Sequence, residues 1–233
     1  SRNSVATHVR ERVDAGGERY WSHSDFRGLS AAAVAHVLSR LTAEGVLQRV
    51  RKGLYYRPKM TAIGLSMPTA DAVFAHTMSV PLHPSGLTAA NGLGFTTQNP
   101  ARREFATPAS GAPGGLGDVV VRTRRPLSRL QLNAEDGALL ELLRDRGRFS
   151  DLSPEQTAER LLATISDPKR FKRLADAAHS EPPRVRAMLG ALGEQAGVPA
   201  EMLEPLRDSL NPLSRFDFGV LGVMPNAREW QSR

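Results

Sequence analysis

Three groups of side chains in this sequence have the types and spacing to do chemistry with a partner. The first lies on a helix read from Ala31 to Glu44. Its apolar positions Val34, Val37, Leu38 and Leu41 follow the i, i+3, i+4, i+7 spacing of one buried face. Ala32, His36, Ser39, Arg40 and Ala43 are then turned outward. Small residues let a helix backbone come close to a duplex, and His36, Ser39 and Arg40 can donate to base edges or phosphates in the major groove. An arginine fork spans O6 and N7 of guanine. Ser30, at the N-cap, stands where a helix N-terminus favours an anion. The second group sits on a hairpin: Arg49 and Arg51 alternate onto one strand face, Lys52 lies at the tip, and Arg57 and Lys59 follow. Such a hairpin can meet a DNA backbone or minor groove. Taken alone, it reads equally well as a solvated ribbon whose charges block edge-to-edge pairing. Ser22 and Arg27, at either end of a short preceding helix, form the third group, with Arg27 a phosphate candidate.

Catalytic patterns are absent by comparison. No Gly-x-x-x-x-Gly-Lys-Ser/Thr loop occurs, and Gly111 to Gly117 lacks both the spacing and the lysine. His76 and His83 are seven apart with Pro81 between, which is not a helical metal pair, and there is no His-Glu-x-x-His. Asp118 heads a strand, but Val119, Val120 and Val121 follow it, and no lysine occurs between Lys59 and Lys169. The expectation is a protein that is not an enzyme, with no catalytic residues, no cofactor and no metal site. The run Lys169-Arg170-Phe171-Lys172-Arg173 reads as a solvated helix face, with Asp167, Asp176 and the acids of 151–159 as partners.

The elements that must position the first groups follow in order. Val5, Val9 and Val13 give a helix over 4–14, closed by Gly16-Gly17, and Tyr20-Trp21 is a short β link. Ser22-His23-Ser24-Asp25 has the form of a capping box opening a short helix that runs to about Leu29. The Ala31–Glu44 helix is next, then β segments Val46–Arg51 and Leu54–Arg57 around Lys52-Gly53, and Pro58 closes the unit. Helix, short helix, helix and hairpin within residues 3 to 58 is the plan of a winged helix-turn-helix. Residues 60–132 are rich in Gly and Pro, with helices at Thr69–Met78 and Thr88–Leu93 and strands at Arg103–Thr107 and Asp118–Arg122. From Asn133 the chain turns helical, with starts at Asn133, Ser153, Asp167, Pro183 and Pro199. Asn211 to Arg233 reads as an irregular or β-like tail.

The expected fold class is therefore α+β in three parts: a winged helix-turn-helix at 1–59, a small α+β module at 60–132 and a mainly helical region at 133–233. The last two can also be drawn together as one domain, 60–233. Charge agrees with this division. Of the net +7, residues 1–60 carry +6, 61–125 carry +2 and 126–233 carry −1. A basic module beside near-neutral ones points to a localised polyanion contact. There is no cysteine, which excludes disulfides and thiolate metal sites and sits well with a reducing cytoplasm. No apolar run is long enough to cross a bilayer and no basic-then-apolar leader opens the sequence, so a cytoplasmic protein with no membrane partner is expected.

Two segments carry a family resemblance. Phe26 to Pro58 contains Leu47-Gln-Arg-Val-Arg-Lys-Gly-Leu-Tyr55, which resembles the Leu-x-Arg-Val-x-(Lys/Arg)-Gly-x-Tyr phrase of the AbiEi-type antitoxins of bacterial type IV toxin–antitoxin systems. Pro84-Ser-Gly, Ala89-Ala-Asn-Gly-Leu-Gly and Thr96-Thr-Gln-Asn-Pro-Ala-Arg102 resemble a second segment of the same antitoxins, in the same order. The resemblance implies binding to inverted repeats in a shared promoter and repression of the chain's own operon. Because operator symmetry mirrors a two-fold arrangement of protein, a homodimer on the DNA is expected. The resemblance also implies a cognate nucleotidyltransferase-type toxin, counteracted directly or functionally. The rival reading is a winged-helix regulator that senses a small molecule through 60–233 and has no toxin partner.

Overall fold

The computed structural model describes residues 4–233; residues 1–3, and with them the start of the expected N-terminal module, lie outside the described residues. The fold is mixed α+β and divides into two compact units.

The first unit comprises Ser1–Met78 together with Pro113–Gly117. Helix α1 (Val5–Gly16) starts at Ser4, whose hydroxyl accepts from Thr7 N, and buries Val9 and Val13. Strand β1 (Arg19–Trp21) pairs antiparallel with β3 (Leu54–Arg57), Tyr20 opposite Tyr56. The short helix expected over 22–29 is only a 3-10 turn, His23–Asp25. Asp25 turns its carboxylate back onto Ser22 N at 2.7 Å and Arg19 at 2.7 Å. The chain then leaves helical geometry at Phe26 (φ −117°, ψ 57°), whose buried ring stacks on Trp21 with centroids 5.5 Å apart. A local side-chain bond and an aromatic contact outweigh another helical turn. Helix α2 (Ala31–Ala43) buries Val34, Val37, Leu38 and Leu41, the stripe read from the sequence. Strands β2 (Gln48–Arg51) and β3 form the hairpin, giving the sheet order β1-β3-β2. Gly53, at φ +78°, supplies the left-handed backbone its tight turn requires. Trp21, Phe26, Leu38, Leu41, Leu47 and Tyr55 share one core with the two helices.

The unit continues past Pro58. A small hairpin, β4 (Met60–Thr61) and β5 (Gly64–Leu65), precedes α3 (Ala70–Thr77), and His76 lies 4.9 Å from the Tyr20 ring. Residues Pro113–Gly117 return here. A Cβ on Gly115 would stand 2.6 Å from the Val50 carbonyl oxygen, so only glycine permits this approach.

The second unit comprises Ser79–Ala112 and Asp118–Arg233. The expected limits at 59/60 and 132/133 thus do not coincide with the compact units. Residues 60–78 and 113–117 fold with the N-terminal elements, and Ala90, Phe95 and Leu132 belong to the same hydrophobic core as the C-terminal helices. Its sheet joins β6 (His83–Pro84), antiparallel to β7 (Arg103–Ala106), which runs parallel to β8 (Val119–Arg122). Helix α4 (Gly86–Gly92) lies within the second resemblance segment, beginning two residues before its expected start. Helices α5 (Ala134–Arg144), α6 (Pro154–Ile165), α7 (Pro168–Ala178), α8 (Pro183–Gln195) and α9 (Ala200–Asp208) build the rest. The reciprocal Ser153–Gln156 capping box starts α6 with Pro154 in its first turn. The tail holds two 3-10 turns and a Phe216–Ser232 bridge.

The basic run on α7 is only in part the solvated face expected of it: Lys169 and Lys172 are exposed, with Lys172 lying 2.8 Å from the expected partner Asp176, but two arginines turn to α5. Arg170 Nε donates to Asp136 Oδ1 at 2.8 Å, its Nη2 lies 3.0 Å from Glu135, and Arg173 reaches Asp136 Oδ2 at 3.1 Å. Asp136 is buried on α5, so these arginines neutralise a buried carboxylate; their partners are on α5 and not on 151–159. A second network is deeper. Arg129, fully buried, bridges Glu141 (2.5 Å) and Glu181 (2.6 Å), with Arg125 also on Glu141 and Arg144 on Glu181. Burial alone would raise the Glu141 pKa, but hydrogen bonds and charge from Arg125 and Arg129 bring it below the ordinary value.

Candidate nucleic-acid interface

Helix α2 carries the outward residues. Ala32, His36, Ser39, Arg40 and Ala43 are exposed, and so is Ala35, which the sequence reading passed over. Ser30 adopts extended backbone geometry at the N-cap and its hydroxyl makes no capping bond. The first-turn N–H groups of α2 are therefore left to solvent or to an anion. Arg40, half exposed, lies 3.7 Å from Glu44, a carboxylate that also pairs with Arg10 of α1. Exposed pairs of this kind are worth little, so a better acceptor can draw Arg40 away at small cost.

Beside the N-terminal half of α2 the hairpin forms one wall of a half-open cleft of about 370 Å³. Ala31, Ala35, Leu38 and Tyr55 give it an apolar floor, and His23, Arg49 and Lys52 stand around it. This arrangement can receive a group with an apolar body and a negative charge. His23, Ala31, Ala35 and Tyr55 were not among the sequence candidates. The four-residue spacing of Ala31 and Ala35, small residues on the flank of the apolar stripe, is the signal that could have pointed to them.

The two hairpin arginines do not share a face. Arg49 lies opposite Tyr55, but the register shifts at Val50 and Arg51 lies opposite Leu54. Neighbouring residues of β3 point to opposite sides, and paired residues share a side, so the bulge separates Arg49 from Arg51. Arg49 goes to the cleft with Lys52, while the Cβ of Arg51 lies near Gly115.

Other candidates are placed apart. Arg27 is exposed beside Arg12, Ser24 and Asp25 around a shallow polar depression. Ser22 is engaged locally, its hydroxyl 2.7 Å from Ser24 and 3.1 Å from Asp25. Arg57 donates to the carbonyls of Val13 and Asp14 at the C-terminal end of α1. That guanidinium closes a helix end, where cations are favoured, and does not join the α2 face. Lys59 is likewise taken, its Nζ 2.8 Å from Glu18. Glu18 also accepts from the Tyr56 hydroxyl at 2.5 Å. Hydrogen bonds from Lys59, Tyr56 and Ser66 lower the Glu18 pKa to about 2, and burial followed by the bond to Glu18 raises that of Tyr56.

Among the described residues no cluster of three or more His, Asp or Glu could hold a metal ion. His83 is buried with Nε2 3.3 Å from the Leu132 carbonyl, and burial lowers its pKa. Asp118 is exposed and pairs with Arg102 at 2.6 Å. No helix among the described residues is long and apolar enough to cross a membrane.

No curated protein matches this chain. Over 97% of its length, and 89% of the other chain, the fold is similar to the crystal structure of the RV2827C protein from Mycobacterium tuberculosis, with a TM-score of 0.54 and 17% identity. That likeness is one of fold. Residues 22–115, from the 3-10 turn through the second resemblance segment, match a family of unknown function, DUF6088.

Proposed function

We propose that the N-terminal elements form a winged helix-turn-helix that binds double-stranded DNA, and that the chain regulates transcription without catalysis of its own. The observation that carries this reading is the exposed face of α2, with His36, Ser39 and Arg40, beside a cleft edged by Arg49 and Lys52. In this reading α2 enters the major groove and the hairpin meets the backbone. The resemblance of Leu47–Tyr55 and of the segment from Pro84 to Arg102 supports a narrower role. The chain is then an antitoxin that represses its own operon at promoter inverted repeats, as a pair of copies, and counteracts a nucleotidyltransferase-type toxin in the cytoplasm.

Fluorescence anisotropy with the chain's own promoter fragment tests the DNA reading. Binding should weaken steeply as salt rises, because Lys and Arg contacts release counterions. Arg40→Ala should cost about 1–3 kcal/mol and relax sequence preference. Lys52→Ala should weaken all sequences alike and flatten the salt slope by about one unit. Absence of binding at low salt defeats the reading. Rescue of growth by co-expression with the toxin encoded beside the gene tests the antitoxin role.

A half-open cavity of about 370 Å³ in the second unit, between α7 and α9, favours the alternative of an effector-sensing regulator. Ala175, Met202, Pro205 and Leu206 line it, with Lys172 and Glu201 at its edge. Loss of promoter binding in cell extract, restored by dialysis, would favour that alternative.

A further inference from the structure

The small hairpin that follows the DNA-binding elements turns its apolar side outward. Ser66 faces the body of the unit, where its hydroxyl lies 2.8 Å from the Tyr56 hydroxyl and accepts from Lys59 N at 2.9 Å. Leu65, the last residue of β5, and Met67 just beyond it flank Ser66 and are both exposed. Met60 is paired with Leu65 and so shares its face. Met60 is 75% exposed, Ile63 at the tip 100%, Leu65 51% and Met67 67%. A polar side turned in and an apolar side turned out is the reverse of a solvated hairpin.

We propose that this face, Met60, Ile63, Leu65 and Met67, is a self-association surface that docks against the same face of a second copy of the chain. Charge and area select that occupant. The only charged residue flanking the hairpin before Asp71 is Lys59, and its ammonium is held by Glu18. The face offers a charged partner nothing to complement, and two copies meet across a two-fold axis without like-charge conflict. Four side chains so exposed present roughly 500 Å² of apolar surface, comparable to the largest patch of a typical monomer, which is often functional. A symmetric pair would bury about 1,000 Å² in total, at the lower limit of a specific interface. Such a contact gives a weak, concentration-dependent dimer. A two-stranded ribbon is also marginal in isolation, and docking a second ribbon on it supplies the missing layer.

Sedimentation velocity on the full chain across a concentration series, without DNA, tests this. The wild-type should move from monomer toward dimer as concentration rises. Leu65→Lys should weaken the association at least tenfold while leaving the thermal melt unchanged, because the side chain is outside the core; Ile63→Ser should act in the same direction. The natural chain has no cysteine, so a single Leu65→Cys substitution provides a second measurement. It should form a covalent dimer on mild oxidation, and Ser39→Cys on α2 should not. A wild-type chain that stays monomeric at the highest attainable concentration overturns the proposal and leaves the face to a different protein. Association that survives Leu65→Lys, or equal cross-linking from both cysteines, overturns it as well.

Discussion

At the scale of single residues, pairing decides which cations remain for a partner. The first sixty residues hold the basic excess, yet Arg57 closes the end of α1, Lys59 holds Glu18, and Arg10 and Arg40 share Glu44. Glu18 anchors one of these local sets, and its lowered pKa makes it a testable one. A carboxylate at about 2 against the usual 4.5 adds stability that is complete above 4.5 and is lost as pH falls through 2. Glu18→Gln should therefore melt below the parent at neutral pH, with the gap closing between pH 4.5 and 2 in thermal scans. The buried set around Arg129 should be less tolerant. Glu141→Ala strips a fully buried guanidinium of one of its two carboxylates, and urea unfolding should show a loss of about 3–5 kcal/mol. None of this pairing was legible in the sequence. Arg129, Glu141 and Glu181 are separated by 12 and 40 residues, and nothing local marks an arginine for the interior.

At the scale of elements, periodicity carried far. The stripe Val34, Val37, Leu38, Leu41 gave α2 its buried face, Ser153-Pro-Glu-Gln gave the start of α6, and the Lys52-Gly53 turn gave the hairpin. Each signal lies within one element, where spacing and caps are sufficient. The misreadings arose where a tertiary contact competes with a local signal. Ser22-His-Ser-Asp25 has its box, but the Phe26 ring against Trp21 stops the helix after one turn. The bulge at Val50 sends Arg49 and Arg51 to opposite sides, which strict alternation cannot foresee. The same competition reverses a familiar rule in α5. Replacing a helical glycine with alanine ordinarily stabilises by about 1 kcal/mol. A Cβ on Gly137 would stand 2.2 Å from the buried His83 ring, so Gly137→Ala should instead cost about 1–3 kcal/mol in denaturant titration.

At the scale of the whole molecule, the basic excess sits in a unit that is larger than its sequence outline. The expected N-terminal module ends near Pro58, but the compact unit takes in β4, β5, α3 and the returning segment 113–117. Proline and glycine in that segment read as loop from sequence, and only the approach of Gly115 to the Val50 carbonyl shows what the loop covers. A fragment ending at Met78 should accordingly exchange its β2 amide hydrogens faster than the full chain does, as read by hydrogen–deuterium exchange; equal rates would make the returning segment incidental. The chain visits the first unit, leaves it at Met78, comes back for five residues and leaves again. Copied into another gene as one uninterrupted stretch up to Met78, the part proposed to bind DNA would arrive without the strap over its hairpin. It is thus a module in space but not in the genetic text, and transplanting it whole means carrying the chain at least to Gly117.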